Sequence, residues 1–400
     1  MSYVPSDTML RKYASVLVDF ALGSGEGIKK NEVIYLQFDI DALPLALETY
    51  QRILEKGAHP IVKMHEETFS KIFYKTAQDH QLEFFPKKYS KALVDTIDHR
   101  IYIMAERDPF LLKNVPPAKL MKGQKQRQMM KKWLFDKEDQ GKMTWVLALY
   151  GTEGMAKEAG LSLKDFWEQI IQACFLDLRD PIAQWQRVFK DLEQIRGKLN
   201  ALKIQKLHVK AKDTDLWVPL GDTRQFVGGS GRNIPSFELF TSPDWRGMEG
   251  HIFFDYPLYR YGNIVKDIRL EFKKGRVVKA QAVKNEKLIK ELIKQKNADK
   301  VGEYSLTDIR HSHITKFMAN TLFDENFGGT WGNTHLALGS SYHEAYTGKV
   351  EKMKTADWNR LGFNESPEHT DIIATTDRVV EAHLKNGVKK VIYAKGQFQV

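Results

Sequence analysis

A mostly parallel α/β domain followed by an α+β domain is the architecture this 400-residue sequence predicts. Three observations carry the expectation. The length exceeds what one ordinary core supports, so two domains are the default. In the first half, short and almost wholly apolar runs alternate with helical patterns, as in a parallel sheet covered on both faces. Beyond residue 200 the texture changes to short runs broken by turns, which favours antiparallel pairing. The domains are therefore expected at 1–200 and 201–400.

Residues 6–22 place Leu10, Tyr13, Ala14, Val16, Leu17 and Phe20 at helical spacing, with Ser6 or Asp7 as cap and GSGEG (23–27) as the stop. The strand-like run NEVIYLQFD follows, then a helix over 43–56 and the strand HPIVKMH. Further helices lead to HRIYIMAER (99–107) and, after a basic helix, to MTWVLALYG (143–151). The glycines of GSGEG follow a helix and precede a strand. A dinucleotide-binding fingerprint needs strand, glycines, helix, so a helix C-terminal turn is the better reading. GGSGRN (228–233) reads as a loop. Amphipathic helices over 163–176 and 181–202 lead out of the first domain. The second half contains KLHVKAKDTDLWVPLG, HIFFDYPLYRYG and IVKDIRLEFKKGRVVKAQAV, with Lys274-Gly275 as a hairpin turn and a helix over 285–296.

Composition narrows the classes. Apolar residues at 42% and aromatics at 11% suit a folded protein and exclude disorder. No run reaches the roughly 18 apolar residues of a membrane helix, and the charged N-terminal stretch lacks the apolar core of a secretion signal. The one cysteine, Cys174, rules out an internal disulfide and reads as a buried small hydrophobe; cytoplasmic residence is the expectation. A net charge of +10 raises nucleic acid as a partner. The densest basic run, MKGQKQRQMMKKW (121–133), carries one aromatic and no nucleic-acid signature, so a solvated surface is preferred.

Chemistry concentrates in NTLFDENFGGTWGNTHLALGSSY (320–342) and in PEHTDII beyond it. The first holds an acidic turn (Asp324, Glu325), a Gly-rich loop and an apolar run containing His335. In the second, His369 and Asp371 stand at i and i+2, which on a strand point the same way. Glu238, flanked by Phe237 and Leu239, and Glu303 in VGEYSLTD add two carboxylates. Singly, each has a plainer reading: salt-bridged or exposed glutamates, a satisfied core histidine, a packing tyrosine at Tyr342, a structural His–Asp pair. Together, carboxylates and imidazoles without thiols suit Zn, Co or Mn. Two Glu, two His, one Asp and one Tyr exceed the needs of one tetrahedral ion and fit two divalent ions about 3.5–4 Å apart sharing a water. A carboxylate could take that water's proton and a phenol could coordinate or stabilise an oxyanion, the equipment of an amide hydrolase. The second domain is thus expected to carry a two-metal site. His311 and His313 in RHSHITK read as a solvated pair outside it.

NIPSFELFTSPD, EGHIFFDYPL, VGEYSLTD, NTLFDENFGG, NTHLALGSSY and EHTDI occur in this order, and the second half resembles the thermophilic aminopeptidase family of metallopeptidases, the aminopeptidase T and S group. The α/β first half agrees with that family's N-terminal domain. The resemblance implies a two-metal exopeptidase acting on peptides with a free N-terminus, with Glu238, Glu303, His335, Tyr342, His369 and Asp371 at the metal site. It also implies Glu303 as base, Tyr342 as stabiliser of the tetrahedral intermediate, and a homodimer. One departure is the longer stretch FGGTWGNT before His335, expected to line the substrate pocket, with Trp331 narrowing it. Two rivals stand beside this reading. A mononuclear non-haem iron oxygenase would use two histidines and one carboxylate but leave Glu238 and Glu303 without work. A basic nucleic-acid-binding protein would show steep salt dependence and no chelator-sensitive cleavage.

Overall fold

The computed structural model describes the chain except residues 1–2, 109, 113–114, 117–118, 121, 124–126, 230, 261 and 351–352. It divides into two compact units, Met1–Gln186 with Ser230–Pro235, and Arg187–Gly229 with Ser236–Val400.

The first unit is built on four parallel strands, β1 (Val33–Asp39), β2 (His59–His65), β3 (His99–Met104) and β4 (Thr144–Leu149), in the order β2-β1-β3-β4. Helix α1 (Asp7–Ser15) starts where Ser6 accepts a hydrogen bond from the Met9 amide at 3.3 Å, as its N-cap position predicts. A wider turn over Val16–Ala21 continues it, and the Gly23–Gly27 stretch ends it. Gly27 has φ +75°, and a Cβ there would meet the Asp19 carbonyl oxygen at 2.4 Å, so only glycine fits this exit. Along β1 the side chains alternate. Ile34, Leu36 and Phe38 are buried on one face, while Tyr35 joins Leu93, Val94, Ile97, Leu134 and Met143 in a second cluster on the other. Helix α2 (Leu43–Glu55) packs against β1 and β2. The expectation of strands buried throughout fails at β2, where Val62 is 47% and Met64 50% exposed. As an edge strand it has one neighbour, and that position depends on strand order, not on local sequence. The basic run 121–133 lies partly outside the described residues; its later part belongs to the helix Arg127–Asp139.

The second unit contains an eight-stranded sheet and a four-stranded sheet, each antiparallel throughout, with a separate hairpin. Strands β5 (Ile204–Ala211), β6 (Thr214–Pro219), β7 (Glu238–Thr241), β8 (Glu249–Phe254), β9 (Leu258–Arg260), β10 (Asn263–Val265), β11 (Ile268–Lys273) and β12 (Arg276–Gln281) come first. Strands β13 (Val301–Thr307), β14 (Asn333–Gly339), β15 (His369–Ala374), β16 (Arg378–Leu384), β17 (Lys389–Ala394) and β18 (Gln397–Phe398) follow. The large sheet runs β12-β11-β8-β6-β5-β16-β17-β18, the small one β15-β14-β13-β7, and β9 pairs with β10. The Lys274-Gly275 turn joins β11 to β12, both residues at positive φ as such a hairpin requires. The expected helix over 285–296 is shorter, Glu286–Leu292.

Candidate metal centre

The four-stranded sheet separates apolar from ionisable side chains by strand alternation alone. On one face Leu239, Tyr304, Leu306, Leu336, Leu338 and Ile372 are fully buried. The register places Thr307 opposite Glu238, Ser305 opposite both Phe240 and His335, Ala337 opposite both Glu303 and Asp371, and Gly339 opposite His369. Residues directly opposite share a face, so Glu238, Glu303, His335, His369 and Asp371 all project from the other one. Small residues fill the gaps between them. Ala337 stands between Glu303 and Asp371, and Gly339 (φ +117°) brings its backbone so close that a Cβ would lie 2.1 Å from the Glu368 carbonyl oxygen.

The five side chains form two groups that share Glu303: Glu238, Glu303 and His335, and Glu303, His369 and Asp371, with the ligand atoms in each within 4.8 Å of one another. His335 Nε2 is 3.1 Å from Glu238 Oε2 and 3.3 Å from Glu303 Oε1. His369 Nε2 is 3.3 Å from Glu303 Oε2 and 3.4 Å from Asp371 Oδ1. Each Glu303 oxygen thus faces a different imidazole.

Hydrogen bonds behind the groups fix their aim. His335 Nδ1 lies 3.2 Å from the Glu325 carbonyl oxygen and His369 Nδ1 lies 2.8 Å from that of Ser340. A carbonyl only accepts, so Nδ1 carries the proton and Nε2 of a neutral ring presents its lone pair to the carboxylates. Ser305 Oγ donates to Glu238 Oε2 at 2.7 Å.

Electrostatics tests whether a cation fits. Burial alone would depress both histidines, but Glu238 and Glu303 raise His335, and Asp371 and Glu303 raise His369, well above the ordinary range. Burial raises Glu238, and the neighbouring Glu303 charge adds to it. Burial would also raise Asp371, yet the charge and hydrogen bond of His369 hold it below the usual range. Without a metal the raised histidines meet the carboxylates with a proton on Nε2; a divalent ion in that proton's place would leave Nε2 a lone-pair donor and supply the positive charge that the carboxylates 3.1–3.4 Å away require. Two donors about 2.0–2.2 Å from one ion are separated by just such a distance. The donor set of imidazole and carboxylate, without thiolate, suits a borderline divalent metal.

Glu325 is a further carboxylate here, which the sequence showed only as part of an acidic turn. It is buried, and burial together with the charges of Glu238 and Asp371 pushes it well above the ordinary carboxylate range. Its neighbours hold it there. Asp324 accepts from the Met318 amide (2.8 Å), the Asn320 amide (3.0 Å) and Tyr256 Oη (3.1 Å), while burial pushes it up to about 7. Asn326 Oδ1 accepts from the Phe237 amide at 2.6 Å, tying the turn to the start of β7. The DEN triplet beside an Asn320 cap was the available signal.

Tyr342 follows β14, its amide donating to Ser242 Oγ at 2.8 Å. Its ring meets His369 edge-on at 4.9 Å and Phe240 at 5.4 Å. The residue is 37% exposed, yet burial of the phenol and the charges of Glu303, Asp371, Glu325 and Glu238 push it far above its ordinary value. His311 and His313 belong to neither group; His313 is exposed, as expected of a solvated pair, whereas His311 is buried. Trp331 is 40% exposed; its carbonyl accepts from Tyr393 Oη at 3.3 Å, and its backbone lies against Gly396 in the β17–β18 turn.

A family model described as thermophilic metalloprotease (M29) matches residues 6–398. The chain belongs to this family. The M29 assignment agrees with the metallo-aminopeptidase class read from the sequence, and it implies use of a divalent metal. Aminopeptidase PepS of Streptococcus thermophilus is 27% identical over 98% of this chain and 98% of its own length. Aminopeptidase T of Thermus thermophilus is 29% identical over 73% of this chain and 74% of its own. Aminopeptidase AmpS of Bacillus subtilis is 25% identical over 97% and 98%. The solved structure of wild-type AmpT from Thermus thermophilus superposes with a TM-score of 0.82 at 23% identity, covering 98% of this chain and 99% of that one, which establishes the shared fold. No described helix is long and apolar enough to cross a membrane.

Proposed function

We propose that this M29 protein is an aminopeptidase that removes N-terminal residues from peptides using two divalent ions, Zn, Co or Mn. The observation that carries the reading is the pair of ligand groups joined through Glu303. Glu238, Glu303 and His335 would hold one ion; Glu303, His369 and Asp371 the other. When bound, two such ions supply a water of lowered pKa and a Lewis acid for the scissile carbonyl. The remaining steps belong to the chain. His335 and His369 are locked in one tautomer by backbone carbonyls, which keeps both Nε2 atoms directed at the site. Two buried carboxylates stand ready for the proton of the attacking water: Glu303, the base that the resemblance implies, and Glu325. Tyr342, its ring edge-on to His369, can coordinate or donate its hydroxyl to the oxyanion as it forms.

The named aminopeptidase relatives support substrates with a free N-terminus. Cytoplasmic residence and a homodimer remain part of the proposal, resting on the single buried cysteine and on the resemblance respectively. A one-ion oxygenase leaves half the ligand set idle, and family membership speaks against it and against the nucleic-acid rival. The test is hydrolysis of aminoacyl-p-nitroanilides, abolished by chelator and restored by divalent metal. Cleavage that is indifferent to chelator would refute the reading.

A further inference from the structure

The eight-stranded sheet, distinct from the four-stranded sheet of the first site, carries a second group of ligand-type side chains. On β5, β6 and β16 the residues Leu207, Val209, Leu216, Val218, Val380 and Ala382 are buried and form the core face. The alternate positions face the other way. There the register sets His208 between Trp217 on β6 and Glu381 on β16, with His383 two residues beyond Glu381.

These groups are already arranged as ligands. His208, Glu381 and His383 each offer a donor atom, all within 4.8 Å of one another. His383 Nε2 is 2.9 Å from Glu381 Oε1. Two donors about 2.1 Å from one ion, at a right angle to each other, stand about 3 Å apart. His208 Nε2 is 2.7 Å from Asp215 Oδ1, an imidazole–carboxylate contact of the kind that orients a metal-binding histidine from behind. With Nε2–H donated to Asp215, the neutral ring keeps Nδ1 as its lone-pair nitrogen.

Trp217 supplies the wall. It stacks on His208 with centroids 3.9 Å apart and an interplanar angle of 14°, and meets His383 edge-on at 4.9 Å. Both imidazoles are thereby restrained, and His208 is only 9% exposed. The Lys206 ammonium lies over the same indole, 4.2 Å from its centroid, and is spent on that ring.

We propose that His208, Glu381 and His383, backed by Asp215, form a second divalent-metal site, separate from the catalytic pair and selective for ions that favour nitrogen ligands, such as Ni, Cu or Zn. Imidazole donors argue against Ca and Mg, which prefer oxygen cages.

The test counts ions. Chelator-stripped full-length protein is dialysed against Ni2+ alone, desalted, and its nickel per chain measured by atomic emission. Wild type retains one ion more than His383→Ala and one more than Glu381→Gln, a near-isosteric change that spares the sheet. Asp215→Asn, at the surface, weakens Ni2+ binding at this site by about 10–100-fold. Hydrolysis of a peptide nitroanilide by protein reloaded with its native metal is unchanged in all three. Equal nickel in wild type, His383→Ala and Glu381→Gln overturns the proposal; loss of hydrolysis together with the ion overturns the claim that the site stands apart. A His369→Ala control lowers the count through the other site, so failure of the catalytic reading leaves the wild-type-minus-His383→Ala difference intact.

Discussion

Replacing Tyr342 by Phe removes one hydroxyl and little else. The ring contacts to His369 at 4.9 Å and Phe240 at 5.4 Å are available to phenylalanine, and the amide hydrogen bond to Ser242 does not involve the side chain. What is lost is a hydroxyl donor beside the ligand groups, its ring 4.9 Å from that of His369. Removing one preorganised oxyanion donor costs about 100- to 1000-fold in kcat, or roughly 3–4 kcal/mol of transition-state stabilisation. The substrate ground state makes no such demand on the hydroxyl, so KM should move by no more than about three-fold. Steady-state kinetics on leucine p-nitroanilide, with metal content measured on the same sample, separates the cases. An unchanged kcat with a raised KM would refute the assigned role. A fall in kcat matched by loss of metal would make Tyr342 a ligand and not a stabiliser.

Other outcomes follow from the same structure. Glu303→Gln should lower metal content and turnover together, because one side chain serves both groups, whereas Glu325→Gln should retain metal; if Glu325 accepts the proton, its variant alone loses about 100-fold or more in kcat with metal bound. Chelation should lower the thermal midpoint as well as activity, since buried like charges are left uncompensated; an unchanged midpoint would contradict the fit of a cation there. His343 stacks on Trp358 at 3.9 Å and burial pulls it from 6.5 down to about 4. The unfolded chain therefore binds the proton first, so this contribution is complete above pH 6.5 and is lost as pH falls toward 4. The loss is at most about 3 kcal/mol, less for residual exposure, and His343→Phe should flatten the urea-midpoint profile over that window relative to wild type. Cys174 is fully buried and its thiol is pushed up to about 12, so iodoacetamide at pH near 8 should label it only after denaturation.

Much of this was legible in the chain because alternation is a local property. His369 and Asp371 stand two apart, and β15 turns both the same way, as any strand must. The apolar runs that became β1, β3 and β4 were equally readable, whereas the exposure of β2 depended on its place at the sheet edge. Glu325 escaped because its approach to Glu238 is made by a chain reversal held by Asp324 and Asn326, hydrogen bonds that no periodicity announces. His208 and Glu381 were invisible for a related reason: strands β5 and β16 are neighbours only in the folded sheet. His311, read as solvated from its charged neighbours, is buried by the fold of a loop whose path the sequence does not encode locally.

Anomalous diffraction from crystals of the protein grown with its native metal addresses the central reading most directly. Two peaks about 3.5–4 Å apart are expected, one within reach of Glu238 and His335, the other of His369 and Asp371, with Glu303 between them. A single peak, or density on only one side of Glu303, would contradict it.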